Sequence, residues 1–313
     1  MMALACFTTS SFAENGTIKI YDAKFAPEIL IFFQSGKLVL DDGKKVGLFV
    51  SKDARAAHDN LTKVRDFFSE KFSRNSWDNK GADILAAVNV NKFFSPLDLT
   101  GQRQNAAWAQ TRFLFGAGSR NGIDNMVNAL DVIGHEYTHA VVQTTSNLNY
   151  EGQSGGLNEH LADVFGVIIN IHYNNPQKPY LVGATILNGK YAEKAEALRD
   201  MMHPEKGLSP QPSHMRDLEL PRFVAFKEGC VSTKENDNCG VHDLSGIPNR
   251  MAALVISKIG ISEAGNLFYN VMTKRLRPES KFADYRVALM EECKTMASDT
   301  CTIVDSALKA VGI

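Results

Sequence analysis

Leu130-Asp131-Val132-Ile133-Gly134-His135-Glu136-Tyr137-Thr138-His139-Ala140 decides how this chain is read. Two patterns share it. Leu130, Ile133, Tyr137 and Ala140 recur at steps of three and four, the period of an amphipathic helix with one buried stripe. His135 and His139 are four apart, so on that helix their imidazoles lie side by side. Two imidazoles so placed can share one Zn²⁺. Glu136 projects beside them, where it can take a proton from a metal-held water. Such a spacing alone fits two solvated histidines equally well.

A second motif follows, Gly155-Gly156-Leu157-Asn158-Glu159-His160-Leu161-Ala162-Asp163. Leu157, Leu161, Val164 and Ile168 form the buried stripe of another helix. Glu159 and Asp163 are four apart on one face. Catalytic zinc usually has three protein ligands and an open position. Glu159 is therefore the candidate third ligand. Asp163 can accept the remaining N–H of a ligand histidine and fix its tautomer, and Asn158 is grouped with it behind the ligands. His160 is read as a packed or hydrogen-bonded histidine.

Further from these helices the chain divides by period. Thr17–Tyr21 and Val46–Val50 read as strands around an Asp41-Asp42-Gly43 turn. Ala57, Leu61, Val64, Phe68 and Phe72 set a helix over 53–73. Residues 84–90 and 112–115 read as strands, and from about residue 124 the pattern is mainly helical, including 251–259 and 306–311. The expectation is an α+β fold of two domains. The first, 14–145, is β-rich and ends in the histidine-bearing helix. The second, 146–313, is α-helical, and the active-site cleft lies between them.

Composition limits the alternatives. The chain has 313 residues, 22% charged, with a formal net charge of −1. No basic stripe points to nucleic acid, and no run of about 18 apolar residues predicts a membrane span. Residues 1–13, MMALACFTTSSFA, carry a small-x-small pattern that reads as a signal peptide or its remnant. They also lack Lys and Arg, which fits a frayed start. Of five cysteines, Cys230 and Cys239 form one local pair and Cys293 and Cys301 another, both read in polar, loop-like stretches. Two small disulfide loops in an oxidising compartment, or four reduced thiols, fit those positions. No CxxC occurs, which excludes a zinc finger.

The ordered motifs resemble the thermolysin family of metallopeptidases over about Tyr21 to Ile313. HExxH at 135–139 is followed by GxxNExxxD at 155–163. Ser76–Gly81 is similar to the family's turn after its first long helix. Asn105-Ala106-Ala107-Trp108 is similar to its substrate-binding edge strand, Gly240–Gly246 to its catalytic histidine motif, and Ala310-Val311-Gly312 to its close. The resemblance implies a thermolysin-like fold and a zinc-dependent endopeptidase, monomeric, secreted or extracytoplasmic, acting on peptide or protein substrates. It implies that Tyr150 and His242 hold a tetrahedral oxyanion, with Asp237 orienting His242. It implies that Glu136 moves the proton from water to the leaving amine. Asn105, the Ala106 backbone and Arg199 would hold the substrate. Val132 and Leu198 would wall a pocket for a bulky apolar residue on the leaving-group side.

The match has gaps. The family's paired calcium sites need several carboxylates. Asp131 matches one position, but Asn170 stands where Glu is expected, and 116–119 and 180–190 lack the acidic clusters. The double site is therefore expected to be reduced, with one calcium at most. The two cysteine pairs could supply the lost bracing. Three rival readings are weaker. A non-cleaving zinc protein would be expected to have lost Glu136, Tyr150 or His242. An aminopeptidase would need an acidic motif for a free amine. A structural zinc site would be closed by four ligands.

Overall fold

The computed structural model describes residues 15–25, 36–46, 48–90, 104–226 and 229–313. The segment 1–13, read above as a signal peptide or its remnant, lies outside them. Six strands form one sheet in the order β3-β2-β1-β4-β6-β5. They are β1 (Ile18–Asp22), β2 (Lys37–Asp41), β3 (Lys44–Lys45), β4 (Ile84–Val90), β5 (Ala106–Trp108) and β6 (Phe113–Gly116). Asp42 and Gly43 both take positive φ and turn β2 into β3, the geometry that matches strand twist in a two-residue hairpin. Among the described residues of Val46–Val50, 46 and 48–50, the expected strand is not formed. The hairpin closes at Lys44–Lys45, and Leu48 and Phe49 lie exposed rather than alternating in and out. Without a buried face, apolar composition alone does not make a strand.

The long helix α1 (Lys52–Phe72) starts at Ser51, whose hydroxyl accepts from Ala54 N at 3.1 Å, a cap worth about 1 kcal/mol. Its stripe of Ala57, Leu61, Val64 and Phe68 is buried against the sheet. Helix α2 (Leu130–Gln143) carries the two histidines, and α3 (Gly152–Asn174) carries Glu159 and Asp163. A two-stranded ribbon of β7 (Leu181–Val182) and β8 (Arg199–Asp200) follows. Then come α4 (Asp237–Leu244), α5 (Gly246–Asn270), α6 (Phe282–Glu292) and α7 (Thr300–Val311). The sequence reading did not assign β2, β3, the β7–β8 ribbon, α4 or α6, all of them short or weakly periodic.

Aromatic rings join sheet and helices into one core. Tyr137 of α2 stacks on Phe68 of α1 at 5.4 Å and on Phe113 of β6 at 5.8 Å between centroids. Phe72 stacks on Tyr269 of α5 at 4.0 Å. Each such side chain contributes about 1.5–3 kcal/mol of burial. Helix α2 is therefore enclosed on nearly every side. Leu130 through Thr138 are all buried, so His135 and Glu136 sit in protein rather than on an open face.

Helices α2 and α3 cross very closely. A Cβ on Gly166 would stand 2.4 Å from the Asp131 carbonyl oxygen, and one on Gly134 would stand 3.1 Å from Gly166 Cα. This backbone approach lets α3 carboxylates reach α2 imidazoles. Within Asp237–Arg275 one 18-residue window is apolar enough for a membrane span by length and composition, with mean hydropathy 1.2. The expectation of none rested on uninterrupted apolar runs, whereas here apolar residues alternate with polar ones. Half of that window is buried inside the fold. Both cysteine pairs are disulfides. Cys301 lies in α7 rather than in a loop, so the second bridge ties the end of α6 to the start of α7.

Candidate metal centre and active site

One turn of α2 sets His135 and His139 with their Nε2 atoms 3.0 Å apart. The far nitrogen of each ring is already engaged. His135 Nδ1 is 2.8 Å from Asp163 Oδ1, and His139 Nδ1 is 2.8 Å from Asn158 Oδ1. Both acceptors require N–H at Nδ1, which points an Nε2 lone pair of each ring into the gap. Two lone pairs at that distance repel unless a cation lies between them.

Glu159 closes the third side. Its Oε2 is 3.4 Å from His135 Nε2 and its Oε1 is 3.4 Å from His139 Nε2. The candidate ligand atoms of all three residues lie within 4.8 Å of one another. Glu159 Oε2 is buried and accepts no hydrogen bond, an expensive state for a carboxylate oxygen unless a cation meets it. Although burial alone would lower the pKa of His135, Asp163 and Glu159 outweigh it and push the imidazole up to about 10. Burial pushes His139 down. Burial opposes ionisation of Glu159 too, but His242, His139 and His135 hold its carboxyl well below the usual range. The pocket thus favours positive charge between the two imidazoles and the carboxylate. A divalent metal fits that demand.

Asp163 is the hub behind the ligands. Besides His135 it accepts from Arg199 Nε at 2.8 Å, from Arg199 Nη2 at 2.6 Å and from Asn249 Nδ2 at 2.8 Å. Burial would raise its carboxyl, but Arg199 and His135 hold it far down. Asn249 was not anticipated, because an Asn inside an apolar helix carries no periodic signal. His160 is fully buried. Its Nδ1 is 2.9 Å from Asn249 Oδ1 and its Nε2 is 2.8 Å from the Tyr285 hydroxyl, so it is the hydrogen-bonded core histidine expected.

Glu136 accepts a 2.8 Å hydrogen bond at Oε2 from the backbone N–H of Trp108 on β5. A backbone donor is invisible to motif reading, since any non-proline residue could supply it. Strand β5 is an edge of the sheet, paired on one side with β6 from Ala106 to Trp108. Asn105 stands just before it, and its carbonyl accepts from Gly116 N at 2.8 Å.

On the opposite side, Tyr150 is part-exposed and its hydroxyl donates a short hydrogen bond to Glu159 Oε1. The same hydroxyl is 3.4 Å from His242 Nε2. His242 Nδ1 is 2.7 Å from Asp237 Oδ1. Burial works against a charge on His242, yet Glu159 and Asp237 push its pKa up to about 9. Asp131 accepts from Val132 N at 2.8 Å and from Gly183 N at 2.9 Å, one on each oxygen. It thereby ties the β7–β8 ribbon to α2. The structure therefore gathers Glu136, Tyr150, His242, Asp237, Arg199, Asp163 and Asn158 around the three candidate ligands, with Asn105 and Ala106 on the adjoining edge strand.

Family models agree with this architecture. A model described as thermolysin metallopeptidase, catalytic domain, matches residues 8–143, and one described as thermolysin metallopeptidase, alpha-helical domain, matches 146–313. The chain belongs to the thermolysin family of metallopeptidases. It is 35% identical over 270 residues to bacillolysin of Bacillus amyloliquefaciens, covering 85% of this chain and 46% of that protein. It is 31% identical over 297 residues to an extracellular elastase of Staphylococcus epidermidis, covering 94% of this chain and 51% of that protein. The chain thus spans about half the length of these two relatives. Among solved structures, the precursor of protealysin, a metalloproteinase from Serratia proteamaculans, superposes with a TM-score of 0.78 at 28% identity, covering 95% of this chain and 88% of that one.

Proposed function

We propose that this chain is a zinc-dependent endopeptidase with His135, His139 and Glu159 as metal ligands. One observation carries the reading: two imidazole nitrogens face each other at 3.0 Å, with a buried carboxylate oxygen beside them that accepts no hydrogen bond. Imidazole and carboxylate donors in a three-residue set with an open side suit catalytic zinc. When bound, zinc supplies a Lewis acid that polarises a carbonyl and acidifies a water.

The protein's own groups do the remaining work. An extended peptide would pair with the free edge of β5, with Asn105 and the Ala106 backbone holding it. Glu136, fixed by Trp108 N–H, takes the proton of the attacking water and delivers it to the leaving amine. The Tyr150 hydroxyl turns from Glu159 toward the developing oxyanion, and protonated His242, held by Asp237, donates to the same oxygen. Arg199 donates to a substrate carbonyl while its bond to Asp163 keeps it in place. Val132 and Leu198 favour a bulky apolar residue on the leaving-group side.

The disulfides and the extracellular name of one relative support action outside the cytoplasm. Asp131 has both oxygens on backbone amides, which supports the reading that the family's double calcium site is reduced here. The chain is read as two domains, 14–145 and 146–313, working as a monomer.

The test is hydrolysis of an internally quenched peptide with Phe or Leu on the leaving-group side. Cleavage by the zinc-loaded protein should fall about 10²–10⁴-fold in Glu136→Ala. It should also vanish on chelation and return with zinc. A folded, zinc-loaded protein that cleaves neither this peptide nor a denatured protein would refute the reading.

A further inference from the structure

The approach to His242 holds the longest run of positive-φ residues described in the molecule. Asp237, Asn238, Cys239 and Gly240 take φ values of 54°, 50°, 65° and 71°, one turn of left-handed helix in succession. Only glycine enters that region freely, and L residues visit it singly, not in runs. Three consecutive non-glycine residues hold it here, and the last of them, Cys239, is β-carbon-bearing, buried and disulfide-bonded to Cys230. The same turn carries the Asp237 carboxylate, which accepts from His242 N at 2.9 Å and holds His242 Nδ1 at 2.7 Å. A relaxed right-handed or extended path would move Asp237 away from both.

The hydrogen bonds around the turn are local. Asn236 Oδ1 accepts from Cys239 N at 3.0 Å and from Thr233 N at 2.9 Å, and Asn238 N donates to Thr233 O at 2.8 Å. These bonds close a surface loop on itself. The C-terminal side of His242 is anchored, since its carbonyl accepts from Gln211 and from Ser245 Oγ. On the N-terminal side, the Phe226 ring lies over Gly240, where a Cβ would stand 2.5 Å from it. The disulfide is the covalent restraint on that side.

We propose that the Cys230–Cys239 disulfide is a positioning device for the His242–Asp237 pair, clamping the left-handed turn 237–240 in the form that holds His242 beside Tyr150 and Glu159. The proposal rests on the endopeptidase reading, but it concerns a conformation that can be measured without cleavage.

Two double variants separate the clamp from general stability. C230S/C239S removes the bridge and leaves a β-carbon at position 239. C230S/C239G removes the bridge and also the steric penalty, because glycine adopts positive φ without strain. Each is assayed as zinc-loaded protein for kcat and KM on the quenched peptide, for zinc content, and for amide exchange in the segment 237–244. The serine variant should lose about tenfold in kcat, with KM and zinc content unchanged and with faster exchange at His242 N–H. The glycine variant should recover to within about threefold of the parent. Unchanged kcat and exchange in the serine variant would overturn the proposal, as would a glycine variant no better than serine. Loss of zinc in either would also overturn it, because the bridge would then hold the whole site. If the parent cleaves nothing, the endopeptidase reading fails, and the exchange comparison still decides the clamp.

Discussion

Asp163 shows how much one buried carboxylate can organise. It fixes the tautomer of His135, holds Arg199 through two hydrogen bonds and takes the amide of Asn249. Asp163→Asn keeps the shape but removes the charge and places a donor among donors. Zinc affinity should fall about 10–100-fold, measured by competition with a chromophoric chelator. An unchanged affinity would show that His135 is oriented by other contacts. His160 offers a pH test. Burial, opposed by the Asn249 hydrogen bond and the charge of Asp163, pushes its imidazole down to about 4. As pH falls from about 6.5 to about 4 the unfolded chain takes up a proton that the folded protein refuses. Stability should therefore be full above about 6.5 and decline by up to about 3 kcal/mol toward pH 4. In His160→Gln that share of the acid dependence should disappear. Parallel curves of Tm against pH for the two proteins would contradict this.

At the scale of elements, the site depends on how closely α3 lies on α2. Gly166 is where a side chain is excluded, with the Asp131 carbonyl only 2.4 Å from the position of a Cβ. Gly166→Ala must separate the helices by some tenths of an ångström or more. The expected cost is about 1–3 kcal/mol from overpacking, seen as a lower midpoint in denaturant. Metal affinity should drop as well, because Glu159 and Asp163 retreat from the imidazoles together. A stable variant with full affinity would mean the crossing has slack. Helices α1, α2 and α3 were legible because each repeats apolar residues at three- and four-residue steps over many turns. Strand β3 was misplaced and α6 missed for the opposite reason: two residues, or one weak stripe, carry too little pattern to outvote tertiary context.

Across the whole molecule, two disulfides brace different things. The Cys293–Cys301 bridge joins the end of α6 to the start of α7. Cys293→Ser with Cys301→Ser should lower stability by about 2–3 kcal/mol, the loop entropy of a short closed loop. It should leave kcat unaltered. Thermal melts with and without chelator should then show additive losses, since the metal acts on α2 and α3 by binding only the folded state. A loss of kcat in this variant would show that the C-terminal helices communicate with the site.

The sequence by itself pointed to the family and to a candidate set of metal-binding residues that the fold brings together. Helix periodicity sets His135 and His139 on one face, and Glu159 and Asp163 repeat that spacing on the next helix. Those relations are local, so residue types at fixed offsets reveal them. Only the tertiary structure decided what lies behind and around them. The Trp108 amide on Glu136, Asn249 on Asp163, the His160–Tyr285 bond and the left-handed turn before His242 join residues far apart in the chain or depend on backbone shape. A backbone donor has no residue type, and a dihedral angle has no letter. Such features appear only when packing brings separate segments to one place.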